Sequence, residues 1–261
     1  MKQEKRYLED VGMRNMPFPM KVVSKVHKNG QFTVADISIS ARIMHEFEAG
    51  WIDKFIQVLH LHRERIGTKT LKANIKDYVR QLKASTVRIE FQYPFFIEKR
   101  TPFSKEKCLT RYLCSYSVNT DEGGKARVIF KIHVPCVTTY PVSFDKPEGL
   151  FGQLSTVAIE TESKNDIFPE DLVSLVDRHA LMPIYSFLTE DDQAYVIKKV
   201  HSQKKSSVVM VDEIKDELAH MRSIDSYKVD CFNFGMLHSY STSISTEKSM
   251  WIPFSSYEED I

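Results

Sequence analysis

The sequence predicts an α+β fold built twice in tandem: two antiparallel four-stranded sheets, each with two helices packed on one face. Three observations carry this. Apolar and polar residues alternate over several segments, which is the period of a half-buried strand. Between those segments the apolar residues fall three and four apart, the period of an amphipathic helix. The order of strands and helices then recurs in the second half, although the residues themselves do not repeat. The chain is long enough for one large or two small domains, with 261 residues, 42% of them hydrophobic and 27% charged.

The first half opens with a β-branched segment from Met20 to Lys28 that ends at Asn29-Gly30, a hairpin signal because both residues tolerate positive φ. Ile37 to Ile43 alternates cleanly and reads as a strand. Trp51, Phe55, Val58, Leu59 and His62 mark one helix, and Leu71, Ile75, Tyr78, Val79 and Leu82 a second. Val87, Ile89, Phe91 and Tyr93 alternate with Arg88, Glu90 and Gln92, and Tyr112 to Val118 continues as a further strand. Asp121-Glu122-Gly123-Gly124 reads as a hairpin turn between the halves.

In the second half, Val128 to Val134 alternates, and a strand follows at Val157 to Thr161. Pro169, Glu170 and Asp171 start a helix, with Pro in the first turn and acids that match the dipole. Helical segments are expected at Glu190 to Val200 and at Val208 to Met221. Strands at Tyr227 to Phe234 and Tyr240 to Thr246 close the pattern. The expected modules are residues 8–120 and 121–250, with tails at 1–7 and 251–261. Open sheet edges invite pairing between subunits, so the expectation is a homo-oligomer.

Composition excludes several function classes. The net charge of +1 gives no overall pull toward nucleic acid or a membrane surface. The four cysteines form no CxxC pair, which argues against a zinc knuckle or a disulfide framework. The charged N-terminal segment has no apolar core of a signal peptide, and no apolar run reaches the roughly 20 residues of a membrane span. A cytoplasmic protein with reduced thiols is expected.

Val137-Thr138-Thr139-Tyr140-Pro141-Val142-Ser143, followed by Gly149 to Ser155, resembles the active-site segment of the type IB GTP cyclohydrolases, which reads V-T-T-L-C-P-C-S and then G-A-H-N-Q-R-S. Asp10-Val11-Gly12-Met13 and Gln31 to Ala35 resemble that family's V-G-I and Q-x-T-x-A, and Pro183 to Leu188 its P-V-Y-S-L-L. Asn233 to Tyr240 resembles its N-x-E-S-I-H-N-H. The likeness runs over roughly residues 8 to 247. It implies a tandem tunnelling fold (T-fold), a homotetramer with sites at subunit interfaces, and a purine- or pterin-like ligand.

The resemblance also implies a catalytic metal, and here the ligand positions change. Val142 stands where the family has a metal-binding Cys, Phe151 where it has His, and Lys198 where it has a Glu associated with the metal. Gly235 stands where the family has the Glu that anchors the guanine ring. A hydrolytic metal needs about three protein ligands, and neither Val nor Phe has a donor atom. The expectation is therefore a cyclohydrolase-like hydrolase scaffold with a degenerate metal site. It would bind or convert a heterocyclic or other small ligand by metal-independent chemistry, as in a specialised biosynthetic pathway, with no cofactor. His238 and Lys198 are the candidate catalytic residues, because an imidazole titrates near neutrality and a desolvated lysine becomes a base. Gln153, Ser155, Asp192, Tyr195 and Asn233 are the candidate ligand-binding residues. Two alternatives stand beside this: a non-catalytic binding or assembly homologue, and a GTP cyclohydrolase that makes dihydroneopterin triphosphate with zinc or another divalent metal on unusual ligands.

Overall fold

The computed structural model describes residues 9–44, 47–120, 125–141, 150–235 and 239–249. Their strands are β1 (Glu9–Val22), β2 (Gln31–Ile43), β3 (Ala84–Arg100), β4 (Lys107–Thr120), β5 (Ala126–Thr139), β6 (Gly152–Ser163), β7 (Met182–Pro183), β8 (Ile224–Phe234) and β9 (Ser241–Lys248). The helices are α1 (Gly50–His62), α2 (Thr68–Gln81), α3 (Pro169–His179), α4 (Glu190–Ser202) and α5 (Ser207–His220). The chain divides into two compact units, and strands β3, β4 and β5 run through both. The expected module boundary falls at Asp121 to Gly124, outside the described residues.

In the first unit the hydrogen-bonded strand order is β1-β2-β3-β4-β5, followed along the sheet without a crossover. β2 buries Ala35, Ile37, Ile39, Ala41 and Ile43, the alternating set that the sequence shows. Trp51, Phe55, Val58 and Leu59 of α1 and Leu71, Ile75 and Tyr78 of α2 supply buried residues from the helices. Stacking from Trp51 to Phe55 and on to Tyr78 gives that core its aromatic spine.

The N-terminal strand differs from expectation. It ends at Val22, where the β1–β2 ladder closes with Val22 opposite Gln31. From Lys21 onward the backbone turns to a different partner. Lys21 and Val23 donate to the carbonyls of Arg63 and Ile66, and Ile66 donates to Lys21. Val23 to Lys28 therefore form no strand, although the β-branched residues favour one: tertiary pairing overrides propensity. Gly30 does occupy the predicted turn, at φ 78°. Inside β1 the register shifts between Met13 and Met16, where Asn15 adopts φ 53° and its N–H bonds to Ser38 Oγ at 3.1 Å. This is a bulge closed by a side chain.

In the second unit the order is β3-β4-β5-β6-β8-β9, with β7 paired to β5. Val134 and Cys136 of β5, Val157 and Ile159 of β6 and Val229 and Cys231 of β8 are buried, as are Leu172, Leu175 and Val176 of α3 and Met210, Val211, Ile214 and Leu218 of α5. This unit holds the three helical segments read from the sequence, one more than the pair that the fold class implies. α4 buries only Asp192 along its length, so α3 and α5 form the core pair and α4 is a surface addition. At the far end of β3, Lys99 Nζ lies 2.5 Å from Asp177 of α3, both largely buried. Burial pushes the Asp177 carboxyl up, and the Lys99 ammonium works against that rise.

Gly12 and Gly50 test the packing in opposite directions. A Cβ at Gly12 would lie 2.6 Å from the Ile39 carbonyl oxygen, whereas one at Gly50 meets nothing within 4 Å. Gly12→Ala is expected to destabilise by about 1–3 kcal/mol. Gly50→Ala, at the start of α1, is expected to be neutral or to stabilise by about 0.4–1 kcal/mol. Urea unfolding of the two variants measures both.

Candidate functional site

A cleft of about 180 Å³ opens in the second unit where β5 ends, β6 begins and β8 turns toward β9. Tyr140, Pro141, Gln153, Asn233, Gly235, Tyr240 and Thr242 line it. Three of the predicted binding residues meet here: Gln153 and Asn233 in the wall, and Ser155 buried directly behind them.

They are joined by one chain of hydrogen bonds whose direction can be assigned. Gln153 Nε2 donates to Thr138 Oγ1 at 3.1 Å and faces the Thr139 carbonyl at 3.5 Å. A carbonyl only accepts, so the carboxamide nitrogen must point that way. Ser155 Oγ donates to Asn233 Oδ1 at 2.8 Å, which uses its single proton. Thr138 must then donate to Ser155 across their 2.8 Å contact. Asn233 Nδ2 completes the chain, donating to Ser207 Oγ at 3.1 Å and Thr242 Oγ1 at 3.3 Å. Every donor points away from Gln153. Its Oε1 stands at the head of the chain and accepts no hydrogen bond among the described residues.

The segment Thr138-Thr139-Tyr140 is held on both sides. Thr139 N–H donates to the Lys205 carbonyl at 2.8 Å, and Lys205 N–H donates to Thr139 Oγ1 at 2.7 Å. Lys205 thus docks the segment just before α5, whose N-cap is Ser206. The stretch from Lys204 to Ser207 is a strut of the site. Tyr140 N–H donates to the Phe151 carbonyl at 2.9 Å, and the two rings stack at 4.8 Å between centroids. Against the edge of Tyr140 lies Gly235, where an added Cβ would approach Cε2 to 2.7 Å. Tyr140 occupies the space that a side chain at 235 would need.

The remaining predicted residues sit elsewhere or outside the description. Asp192 takes both members of the Thr189–Asp192 capping box at the start of α4. Its carboxylate also accepts from the N–H groups of Phe103 and Ser104 at 2.8 and 2.9 Å and from the Ser104 hydroxyl at 2.6 Å. Burial opposes its charge, but the bonds from Ser104, Thr189 and Phe103 prevail and hold the carboxyl well below the usual range. Tyr195 lies beside Phe103, ring to ring at 6.4 Å, and Lys198 is exposed on α4. Neither lines the cleft. His238 and Val142 lie outside the described residues. Tyr140, Thr138, Ser207, Thr242 and Tyr240 were not singled out from the sequence. Thr138, Tyr140 and Tyr240 had a signal, since they lie inside the resembling segments.

A divalent metal does not fit the donors of the described residues. Among the described residues no group of three His, Cys, Asp or Glu side chains is placed to hold a metal ion. Phe151 offers a ring to Tyr140 in place of a ligand. Burial pushes the nearby thiols up, Cys231 to about 12 and Cys136 in the same direction.

The sequence profile of the family described as type I GTP cyclohydrolase folE2 matches residues 1–243. GTP cyclohydrolase FolE2 of Geotalea uraniireducens is 28% identical over 242 residues, covering 92% of this chain and 88% of the relative. That of Pelobacter propionicus is 27% identical over 241 residues, covering 92% and 93%. Among solved structures, urate oxidase from Bacillus sp. TB-90 superposes with a TM-score of 0.57 at 7% identity, covering 93% of this chain and 99% of that one. At that identity the likeness shows the fold, which is the tunnelling fold. No helix among the described residues is long and apolar enough to cross a membrane.

Because the Asp192 carboxyl is depressed in the folded protein, the stability it contributes is fully present above the unfolded carboxylate value of roughly 3.9 and is lost as pH falls toward the folded value. Asp192→Asn is expected to lower the melting temperature near neutrality by several degrees and to flatten its fall in acid. A melting series from neutral pH down to the acid limit of folding checks both.

Proposed function

The chain belongs to the type I GTP cyclohydrolase folE2 family, and we propose that it is a hydrolase of that type acting on a purine-like nucleotide whose base enters the Tyr140–Tyr240 cleft. The observation that carries this reading is the buried chain from Gln153 to Asn233, which ends in a carboxamide acceptor on the cleft wall. Family membership makes the ligand class purine-like, and the cleft supplies a hydrogen-bonding group for such a ring.

The finer part of the proposal concerns the chemistry. Among the described residues Phe151 stacks on Tyr140 and no metal-binding group is found, and we propose on that basis that protein groups activate the attacking water. His238 is the proposed acid–base residue, close in sequence to the cleft residue Tyr240, and Lys198 is the second candidate. Asp192 and Tyr195 enter this reading as supports of α4 rather than as ligand contacts. The unit edges fit an oligomer as well: β1 pairs only with β2 and β9 only with β8 among the described strands, so each offers an edge to a neighbouring subunit. A homotetramer is proposed on that basis.

A second reading, a metal-dependent GTP cyclohydrolase, is favoured by one specific observation. The family profile runs through residues 45–46, 142–149 and 236–238, which include His45 and His238 and lie outside the described structure.

One experiment separates these. The purified protein is dialysed against a chelator, assayed for bound metal and incubated with GTP, with and without zinc or manganese. Formate release and pterin fluorescence report ring opening. Turnover that survives chelation supports the first reading, and turnover only with metal supports the second. Absence of both GTP binding and turnover overturns the two together. His238→Ala is expected to lower turnover by about 10²-fold or more. An unchanged rate in that variant removes His238 from the site.

A further inference from the structure

A second pocket, of about 410 Å³, lies in the first unit. It is framed by the end of β1 and the residues just after it, by the turn before β2, by Glu64 and Arg65 after α1, and by Phe168. We propose that it is a further ligand site, which takes a small phosphomonoester with a flat or apolar body. The phosphate sits against Lys28 and Arg65, and the body sits against Val22, Val23 and Phe168. The inference uses none of the cleft residues and stands apart from the reading of the cleft.

Charge is the first argument. Three cations, Lys21, Lys28 and Arg65, line the pocket against one carboxylate, Glu64. The chain as a whole carries a net charge of only +1, so this excess is local. The carboxylate is already committed. Lys21 Nζ lies 2.5 Å from Glu64 Oε2 and 4.5 Å from the centroid of the Phe32 ring, and Arg63 Nε lies 3.4 Å from Glu64 Oε1. The hydrogen bond from Lys21 holds the Glu64 carboxyl below the usual carboxylate range, so at neutral pH it stays ionised beside that lysine. Among the described residues the side chains of Lys28 and Arg65 have no hydrogen-bond or ion-pair partner. Two cations on one concave wall repel each other, and a phosphate dianion removes that cost. The Arg65 guanidinium can meet two phosphate oxygens in parallel, and Lys28 adds a point charge.

The second argument is that backbone bonds hold the frame. Lys21 N–H donates to the Arg63 carbonyl and Val23 N–H to the Ile66 carbonyl, both at 2.9 Å, and Ile66 N–H donates to the Lys21 carbonyl at 2.8 Å. These bonds tie the end of β1 to the segment that carries Glu64 and Arg65. Gly30 N–H donates to the His27 carbonyl at 2.8 Å, closing the turn that carries Lys28. The left-handed φ of Gly30, 78°, belongs to that turn. A site framed in advance loses less ordering entropy when a ligand enters.

Shape and chemistry of the wall are the third. Val22 and Val23 are buried and Phe168 is half-buried, so part of the lining is apolar beside the cations. The volume falls within the roughly 300–1,000 Å³ of small-molecule pockets. One pair of free cations in a concavity suits one phosphate group, whereas a nucleic-acid strand is held by a row of them.

Calorimetry on the full chain tests this with phenyl phosphate, inorganic phosphate and phenol as probes. Phenyl phosphate is expected to bind about threefold more tightly than inorganic phosphate, because its ring covers apolar wall, and phenol to show no saturable binding. Arg65→Ala should weaken phenyl phosphate about tenfold or more, and Arg65→Lys about threefold, since lysine lacks the planar fork. Lys28→Ala should weaken it about fivefold. Glu64→Gln should act the other way and tighten binding about threefold, because it releases Lys21. Arg80→Ala, which removes an exposed cation outside the pocket, should leave binding unchanged. Lys28 and Arg65 are exposed, so their replacement spares the core. Melting gives a second readout: phenyl phosphate should raise the melting temperature of the unsubstituted protein and not that of Arg65→Ala. Binding that Arg65→Ala and Lys28→Ala leave unchanged, or no binding of either phosphate probe, overturns the inference. Retention on phosphatidylcholine vesicles that contain phosphatidic acid, without binding of either soluble phosphate, also overturns it and assigns the chemistry to a lipid headgroup. GTP turnover tests the cleft separately, because the cleft residues belong to the second unit.

Discussion

The site depends on one constraint: a buried chain of side-chain hydrogen bonds in which each hydroxyl has a single proton to give. Ser155 must donate to Asn233, so Thr138 must donate to Ser155, and Gln153 must present its amide nitrogen to Thr138. Five side chains from β5, β6, β8 and the start of α5 are thereby locked into one orientation. The low polarizability of the interior makes each of these bonds costly to leave unmade, so the chain is ordered as a whole or not at all. The chemical character of the cleft wall follows from it. What faces the cleft is an acceptor, set there by partners distant along the chain.

The family match supports a GTP cyclohydrolase-type function rather than the degraded one expected from the sequence, and two of the positions behind that expectation, separate in sequence, are one unit in space. Phe151 lies under the ring of Tyr140, and Gly235 lies against its edge. A larger ring at 140 fills the room that a side chain at 235 would take, and the stack on Phe151 supports it. Lys198 does not share in this: it is exposed on α4, a helix that buries little beyond Asp192. The substitutions at 151 and 235 are thus coupled through Tyr140, and the one at 198 needs its own explanation.

Asp192 shows a polar residue whose place in a motif and place in the structure differ. It was grouped with the ligand-binding candidates because its neighbours match a family segment. In the fold its two oxygens are saturated by the α4 capping box and by the turn after β3. A carboxylate that already accepts several short bonds has little capacity left for a ligand. It ties the start of α4 to the turn between β3 and β4.

The sequence by itself determined the α+β class, the alternation that buries one face of each strand, the helix faces and the family, because these rest on local periodicity and on motifs contiguous along the chain. It also placed Gln153, Ser155 and Asn233 in one site. Tertiary structure decided the rest. It ended β1 at Val22 by offering the Arg63 to Ile66 segment as a backbone partner. It made α4 a surface helix, since burial depends on what packs against a face and not on the face alone. It brought Ser207 and Thr242 to Asn233, and Gly235 to Tyr140, across separations of 26, 9 and 95 residues. Contacts of that range leave no periodic trace, because each depends on the angle at which whole elements meet.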